Sequence, residues 1–464
     1  MNERNQTTEM KLNATMTLNG LEVPLTATVD LLEYRIADAE AVHQMLSDDN
    51  APPTLRETRR QEHLGTDKVV NRNEYYRKTK GTIIHAVAFN TIQNQVAPWT
   101  LVQSFTQYTK GYNQEELPEM KHLNVPDDEG LDYSTGVALA MFDGIPVEVS
   151  LWVDRDHDAN IRIYAAEANK DKLKDMLEHL EEAMYEFLGG KIMTGHFEFI
   201  SRKAVSSRDV LLPENVMQTI DKHVINYRKL MPAIAGAGES PSRGLLMAGP
   251  PGCGKTSATR YIVSSMPEVT FVMVSATTIQ RDGFKSIFET VRRTNGVLVL
   301  DDIDQCGAIS RDITDHPLLS QLLVLLDGME GSGCVQILAT TNVVERLDPA
   351  LTSRPGRFDR VIHVMPPDAE VRRELLRRTL HRYSPTSSLD LDRAVAKTES
   401  MSGAYVSEIA KSAWLEAMHE GETVITTAHL NAALNDVGTQ FKRALDGHRS
   451  KAPEAATSRI AGWE

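Results

Sequence analysis

The chain has 464 residues, 41% of them hydrophobic and 25% charged, ordinary values for a soluble globular protein and enough length for two or three domains. Its net charge of −14 argues against a dedicated nucleic-acid binder, because neutralising a phosphate backbone takes clustered Lys and Arg. The three cysteines, Cys253, Cys306 and Cys334, are spaced neither as a zinc site nor as a disulfide framework and point to a reducing compartment.

The polar start, residues 1–6, lacks the apolar core of a signal peptide, and no run of about 18 apolar residues occurs, so no membrane span and a cytoplasmic home are expected. Residues 1–200 read as an α+β unit that holds the partner or substrate specificity. Asn19-Gly20 marks a hairpin, and a helical pattern covers 30–46. Asp143-Gly144 separates strand-like stretches at 137–142 and 147–153, and 161–164 is a further strand. Leu173, Met176, Leu177, Leu180, Met184 and Leu188 then set an apolar stripe on a helix that stops at Gly189-Gly190. Residues 201–240 form a connector, helical from Pro213 to Leu230 and ending in a small-residue loop over 233–241. Residues 241–365 alternate strands and helices as a parallel sheet requires, 366–447 are mostly helical, and a short polar tail from 448 is expected to be mobile.

Chemistry concentrates in the third segment. Gly249, Pro250, Pro251, Gly252, Cys253, Gly254, Lys255 and Thr256 fit G-x-x-x-x-G-K-[ST], the loop that cradles phosphates. Glycines let backbone N–H groups turn onto phosphate oxygens, Lys255 can reach the β- and γ-phosphates, and the Thr256 hydroxyl can take a Mg²⁺ position. Ser257 opens the helix behind the loop, and residues 244–248 read as the buried strand before it. A second buried strand, 297–300, ends in Asp301 and Asp302, suited to holding Mg²⁺ and to orienting or deprotonating water. A third strand-like run ends at Asn342, whose amide can hold the lytic water or sense the γ-phosphate. Arg354 and Arg357 flank a Pro-Gly turn that would present both guanidiniums stiffly to phosphate oxygens.

The phosphate loop, the run Leu322-Leu323-Val324-Leu325-Leu326-Asp327-Gly328, Thr340-Thr341-Asn342 and Arg354-Pro355-Gly356-Arg357-Phe358-Asp359, in this order, resemble the AAA ATPases, in particular those that remodel proteins. The resemblance covers roughly residues 205–440. It implies an α/β fold: a P-loop NTPase αβα parallel-sheet core with a C-terminal helical lid, here preceded by the α+β N-terminal domain. It further implies ATP and Mg²⁺, hydrolysis, and a homo-hexameric ring with ATP between subunits, coupling turnover to remodelling of a protein recruited by residues 1–200. Arg354 and Arg357 would be fingers acting on the neighbour's ATP, Asn342 the first sensor, Gly403 and Ala404 the lid segment near the base, and Asp209-Val210-Leu211, with Val210 as the contact, the adenine-side wall.

The pattern departs from the family in places. The second acid is Asp302 where the family usually has Glu, one methylene longer, so hydrolysis is expected to be slow. Ser353 is an extra residue in the finger loop and leaves open which arginine reaches the phosphate. The pore-loop region, 279–285, is short, and its aromatic, Phe284, follows the glycine and reads as a core residue of the next helix. Asp154, Asp156 and Asp158 begin like a calcium loop but meet Ala159 and Ala165 where Gly and Glu are needed, which indicates a hairpin turn. Residues 55–80 hold eight Lys/Arg against four Asp/Glu, with Tyr75 and Tyr76 among them, and read as a flexible surface segment. A nucleic-acid-associated motor using that segment, or a nucleotide-switched scaffold with little hydrolysis, are the alternative functions.

Overall fold

The structure, a computed structural model, describes residues 10–18, 21–29, 53–76, 78–109, 114–116, 119–153, 158–206, 209–275, 285–304, 322–324, 326–327, 335–352, 357–385 and 389–449. The expected helix over 30–46, the pore-loop residues 279–284 and the tail beyond Arg449 lie outside them.

β1 (Met10–Leu18) and β2 (Leu21–Val29) pair antiparallel with Leu18 opposite Leu21, the register a two-residue Asn-Gly connection demands. Next come α1 (Leu55–Leu64), β3 (Val69–Tyr76), α2 (Lys78–Gln93), β4 (Trp99–Thr109), β5 (Gln114–Glu116), the ribbon β6 (Met120–Leu123) and β7 (Leu131–Ser134), β8 (Gly136–Phe142), β9 (Ile145–Val153), β10 (Ala159–Ala166) and α3 (Leu173–Phe187). Six of the strands form a sheet in the order β3-β10-β9-β8-β4-β5. Between β8 and β9, Asp143 and Gly144 both take positive φ, 49° and 77°, as a tight turn matched to strand twist requires. β10 shows the two-residue period plainly. Ala159, Ile161, Ile163 and Ala165 are wholly buried under α2 and α3, while Asn160, Arg162 and Tyr164 face the other way. The expected apolar stripe of α3 is its buried face.

Residues 55–80 are not the flexible segment their composition suggests. Thr54 and Glu57 close a capping box on α1, and Gly65 ends it at φ 68°. Arg56 and Arg60 of α1 both bond the carboxylate of Glu148, which is 1% exposed on β9.

His85 of α2 is fully buried. Its Nε2 lies 2.8 Å from the Ser134 carbonyl and its Nδ1 has no partner, an arrangement suited to the neutral ring. Burial holds its pKa down to about 4, against the Ser134 bond that raises it. Between pH 6.5 and 4 the unfolded chain therefore binds a proton that the folded one does not, so stability falls as pH falls through that window. The contribution amounts to about 3 kcal/mol when complete. We expect urea midpoints at pH 7 and pH 4.5 to lie closer together in His85→Gln than in the wild type; an unchanged gap would contradict this.

The second sheet has the order β12-β11-β14-β15-β16-β13-β17. Its strands are β11 (Ile192–Thr194), β12 (Phe199–Ile200), β13 (Arg243–Ala248), β14 (Phe271–Val274), β15 (Val297–Leu300), β16 (Gln336–Thr341) and β17 (Phe358–His363), all parallel except β12. Residues 192–200, counted with the first unit on sequence, thus extend this sheet. Because parallel strands are covered on both faces, alternate residues enter two different cores. Val297 and Val299 pack with α4 (Glu214–Ile220) and α6 (Lys255–Ser265), whereas Leu298 and Leu300 pack with α7 (Lys285–Arg293). That second cluster runs on without a break into the core of the first unit. α4 continues through a π-turn into α5 (Asn226–Gly236), so the small-residue stretch expected as a loop from 233 is helical to Gly236.

After the short α8 (Pro349–Thr352) and β17, the C-terminal part comprises α9 (Ala369–Tyr383), α10 (Asp392–Lys397), α11 (Gly403–His419) and α12 (Thr427–Arg449) around a core of their own. Among the described residues no helix is long and apolar enough to cross a membrane.

Candidate nucleotide site

β13 delivers the chain into the loop at 249–254 and α6 takes it up at Lys255. Gly252 and Gly254 carry the turn at φ 79° and 106°, values that side-chain-bearing residues rarely adopt. A Cβ on Gly252 would also sit 2.7 Å from Cβ of Ala404, so the loop accepts only glycine where α11 leans on it. The first N–H groups of α6 and its dipole then face a cavity of about 520 Å³.

Pro251, Gly252, Cys253, Gly254, Lys255, Thr256 and Ser257 line that cavity together with Asp301, Asp302 and Asn342. Gly403 and Ala404 close it from the C-terminal helices, and the Ala404 N–H donates to the Gly252 carbonyl at 3.1 Å. Gly249 and Pro250 lie behind the wall; their carbonyls accept from Lys255 Nζ at 2.6 and 3.1 Å.

Side chains from three strand ends join into one network. Lys255 Nζ donates to Asn342 Oδ1 at 2.9 Å, and Asn342 Nδ2 donates to Asp302 Oδ1 at 3.0 Å. The Thr340 hydroxyl accepts from the Asp302 N–H at 2.8 Å and donates to Asp301 Oδ1 at 2.6 Å. Asp304 accepts from the Thr341 hydroxyl at 2.9 Å and the Asn342 N–H at 3.2 Å, which fixes the strand end. Asp302 holds φ 49°, an unusual conformation for a non-glycine residue and one that collects at functional sites. Burial raises its pKa, as do the neighbouring Asp301 and Asp304, while Lys255 and Asn342 pull it back. A carboxylate so placed is a stronger proton acceptor than a solvated one. Burial lowers the pKa of Lys255 against the carboxylates around it and raises that of the Cys253 thiol, so Cys253 is not an activated nucleophile.

Two expectations need correction. Of Asp209-Val210-Leu211, Asp209 and Leu211 line the cavity, whereas Val210 is buried in the core. Arg357 is not displayed on a turn. It is 5% exposed, its Nε and Nη2 grip both oxygens of Asp327 at 2.8 and 2.9 Å, and Nη1 bonds the Ala350 carbonyl. Asp327 raises its pKa, and the pair is an internal clamp of this chain. Arg354 lies outside the described residues. Leu375 and Pro367, and Ser407 one turn beyond Gly403, complete the lining without having been foreseen. The i, i+4 spacing of Ser407 from Gly403 was the available signal.

A model of the ATPase family associated with various cellular activities (AAA) matches residues 245–366. The proteasome-activating nucleotidase of Pyrococcus abyssi is 30% identical over 305 residues, 63% of this chain and 74% of that protein. The chain belongs to the AAA ATPases. It is an ATP-hydrolysing enzyme, and AAA ATPases bind ATP, typically with Mg²⁺. The proteasome-activating nucleotidase of Methanocella arvoryzae is 33% identical over 222 residues, 45% of this chain and 53% of that protein. The ATPase family gene 2 protein homolog A of Homo sapiens is 31% identical over 225 residues, 45% of this chain and 25% of that protein. This AAA ATPase thus spans about half of the Methanocella protein and a quarter of the human one.

Proposed function

We propose that the chain works as a ring of identical subunits, most simply a hexamer, that uses ATP turnover to remodel or disassemble a protein recruited by residues 1–200. The observation that carries this reading is the Ala404-to-Gly252 bond: the C-terminal helices rest on the phosphate loop itself, so occupancy of the cavity and the position of those helices depend on each other. A continuous buried core joins the other face of the parallel sheet to the first unit, a solid route for the motion. Lys255 and the loop N–H groups would hold the β- and γ-phosphates, Asp302 would take a proton from the attacking water, and Asn342 would orient that water. The hydroxyl of Thr256 and the carboxylate of Asp301 are hard oxygen donors that suit Mg²⁺, which when bound neutralises phosphate charge. With Arg357 committed to Asp327, Arg354 is the arginine that would reach the neighbour's phosphate.

The nucleic-acid reading is the less favoured, since two of the cations it would use, Arg56 and Arg60, are engaged by Glu148 within the fold. Sedimentation of the Asp302→Asn variant tests the ring. With Mg²⁺ and ATP it should move as a single large species that dissociates when nucleotide is removed. A monomer at every nucleotide condition would refute it.

A further inference from the structure

The sheet face turned away from α2 and α3 holds a second cavity, of about 350 Å³, lined by Arg56, Ser150, Trp152, Asn160, Arg162 and Tyr164. The register explains the grouping. Trp152 stands opposite Asn160, Ser150 opposite Arg162 and Glu148 opposite Tyr164, all on one face. One strand further out, Tyr75 stands opposite Asn160 and Asn73 opposite Arg162. α1 roofs one end, with the Arg60 guanidinium 3.9 Å above the Tyr164 ring.

Three features of this cavity call for a ligand. The Nε of Arg162 is buried and has no hydrogen-bond partner, while Nη1 donates to the Tyr164 hydroxyl at 3.2 Å. Trp152, 37% exposed, presents a large aromatic surface at the mouth, and Tyr75, 53% exposed, continues it. Among the described residues the unbalanced charge is that of Arg162: Glu148 is engaged by Arg56 and Arg60, Asp158 at the rim is bonded by the Tyr75 hydroxyl, and no carboxylate pairs with Arg162.

We infer that this cavity is a docking site for an acidic polypeptide segment, with one Asp or Glu carboxylate entering to meet Arg162 and an adjacent apolar side chain resting on Trp152 and Tyr75. Charge complementarity selects the carboxylate. Among the described residues the positive groups converge on one small cavity, and the strip beyond it carries Asn73, Tyr75 and Asp158 rather than a line of cations that could follow a phosphate backbone. A carboxylate side chain delivers its charge at one point, in the planar geometry a guanidinium fits. Rotationally stiff aromatics beside it suit a peptide's apolar side chain. The assignment rests on the recruiting role proposed for residues 1–200 only for its biological meaning; binding itself needs no nucleotide.

The test is fluorescence anisotropy of the full-length protein with a short fluorescein-labelled peptide of alternating glutamate and leucine. The glutamine-for-glutamate peptide and an oligothymidylate carrying the same label serve as comparisons. The glutamate peptide should bind, the glutamine peptide about tenfold more weakly or worse, and the oligothymidylate no better than the glutamine peptide. Arg162→Gln and, independently, the surface change Trp152→Ala should each weaken the glutamate peptide about tenfold, with the circular dichroism spectrum unchanged. Equal binding of the two peptides, tighter binding of the oligothymidylate, or indifference to both substitutions would overturn the assignment. Lys255→Ala separates the two readings: it should lose phosphate release yet bind the glutamate peptide as the wild type does, so absence of a ring in the sedimentation test refutes the remodelling reading without touching this one, and equal binding of the two peptides refutes this one without touching the other.

Discussion

Replacing Lys255 with alanine is expected to lower steady-state phosphate release by at least about 100-fold, a loss of roughly 2.7 kcal/mol of transition-state stabilisation. The magnitude follows from where the ammonium sits. Lys255 is 7% exposed and stands within a chain of bonds that runs through Asn342 to Asp302, so it acts in a site with little water to screen it. Two of its three donors now go to the Gly249 and Pro250 carbonyls, bonds that a phosphate oxygen can replace. Alanine at this position removes the charge and releases the Asn342 amide from its orientation. The fold should survive, because the lost partners are two carbonyls and a side-chain amide at the border of a cavity. Turnover within a fewfold of the wild type, with an unchanged circular dichroism spectrum, would show that Lys255 does not face the phosphates.

Glu148→Ala should produce the largest loss of stability, about 3–5 kcal/mol, because it removes the carboxylate that two largely buried guanidiniums share. Glu148 accepts from Arg56 Nη2 at 2.7 Å and Nε at 3.1 Å, and from Arg60 Nε at 2.8 Å and Nη2 at 3.0 Å. The side chains of Arg56 and Arg60 are 9% and 13% exposed, so each regains only part of its hydration when the carboxylate goes. Tyr164 offers ring-face contact to both but no counter-charge. A urea titration followed by tryptophan fluorescence should show a clear drop in midpoint, with Glu148→Gln intermediate. A change below about 1 kcal/mol would place the triad among surface pairs of little worth.

That triad also marks a limit on reading this chain from its sequence. Arg56 and Glu148 are 92 residues apart, and nothing in local composition links them. The arginine-rich stretch therefore resembled a solvated surface. What was legible was periodic or conformational. The stripe of α3, the Asp-Gly turn, the apolar strand ending in Asp301 and Asp302, and the glycines of the phosphate loop each follow from rules acting over a few residues. Of Asp209-Val210-Leu211, the outer two line the cavity and the middle one is buried, a division that three residues of sequence do not reveal. Arg357 reads as a displayed donor because its partner, Asp327, lies 30 residues earlier, in a run notable in sequence only for its resemblance to the AAA ATPases. The N-terminal unit itself folds by unremarkable sheet and helix patterning. Its outer face became a candidate site only once register brought Trp152, Asn160, Arg162 and Tyr75 together.

On the proposed function, the cavity between the parallel sheet and the C-terminal helices would be one half of an ATP site completed by Arg354 of a neighbour. Mixing two inactive variants tests this arrangement. Arg354→Ala chains keep Lys255, Asp301 and Asp302 but lack the finger; Asp302→Asn chains keep the finger but lack the base. Each alone should release phosphate at a small fraction of the wild-type rate, and an equal mixture should recover a substantial part of it. A mixture no more active than the two variants measured apart would contradict catalysis shared between subunits.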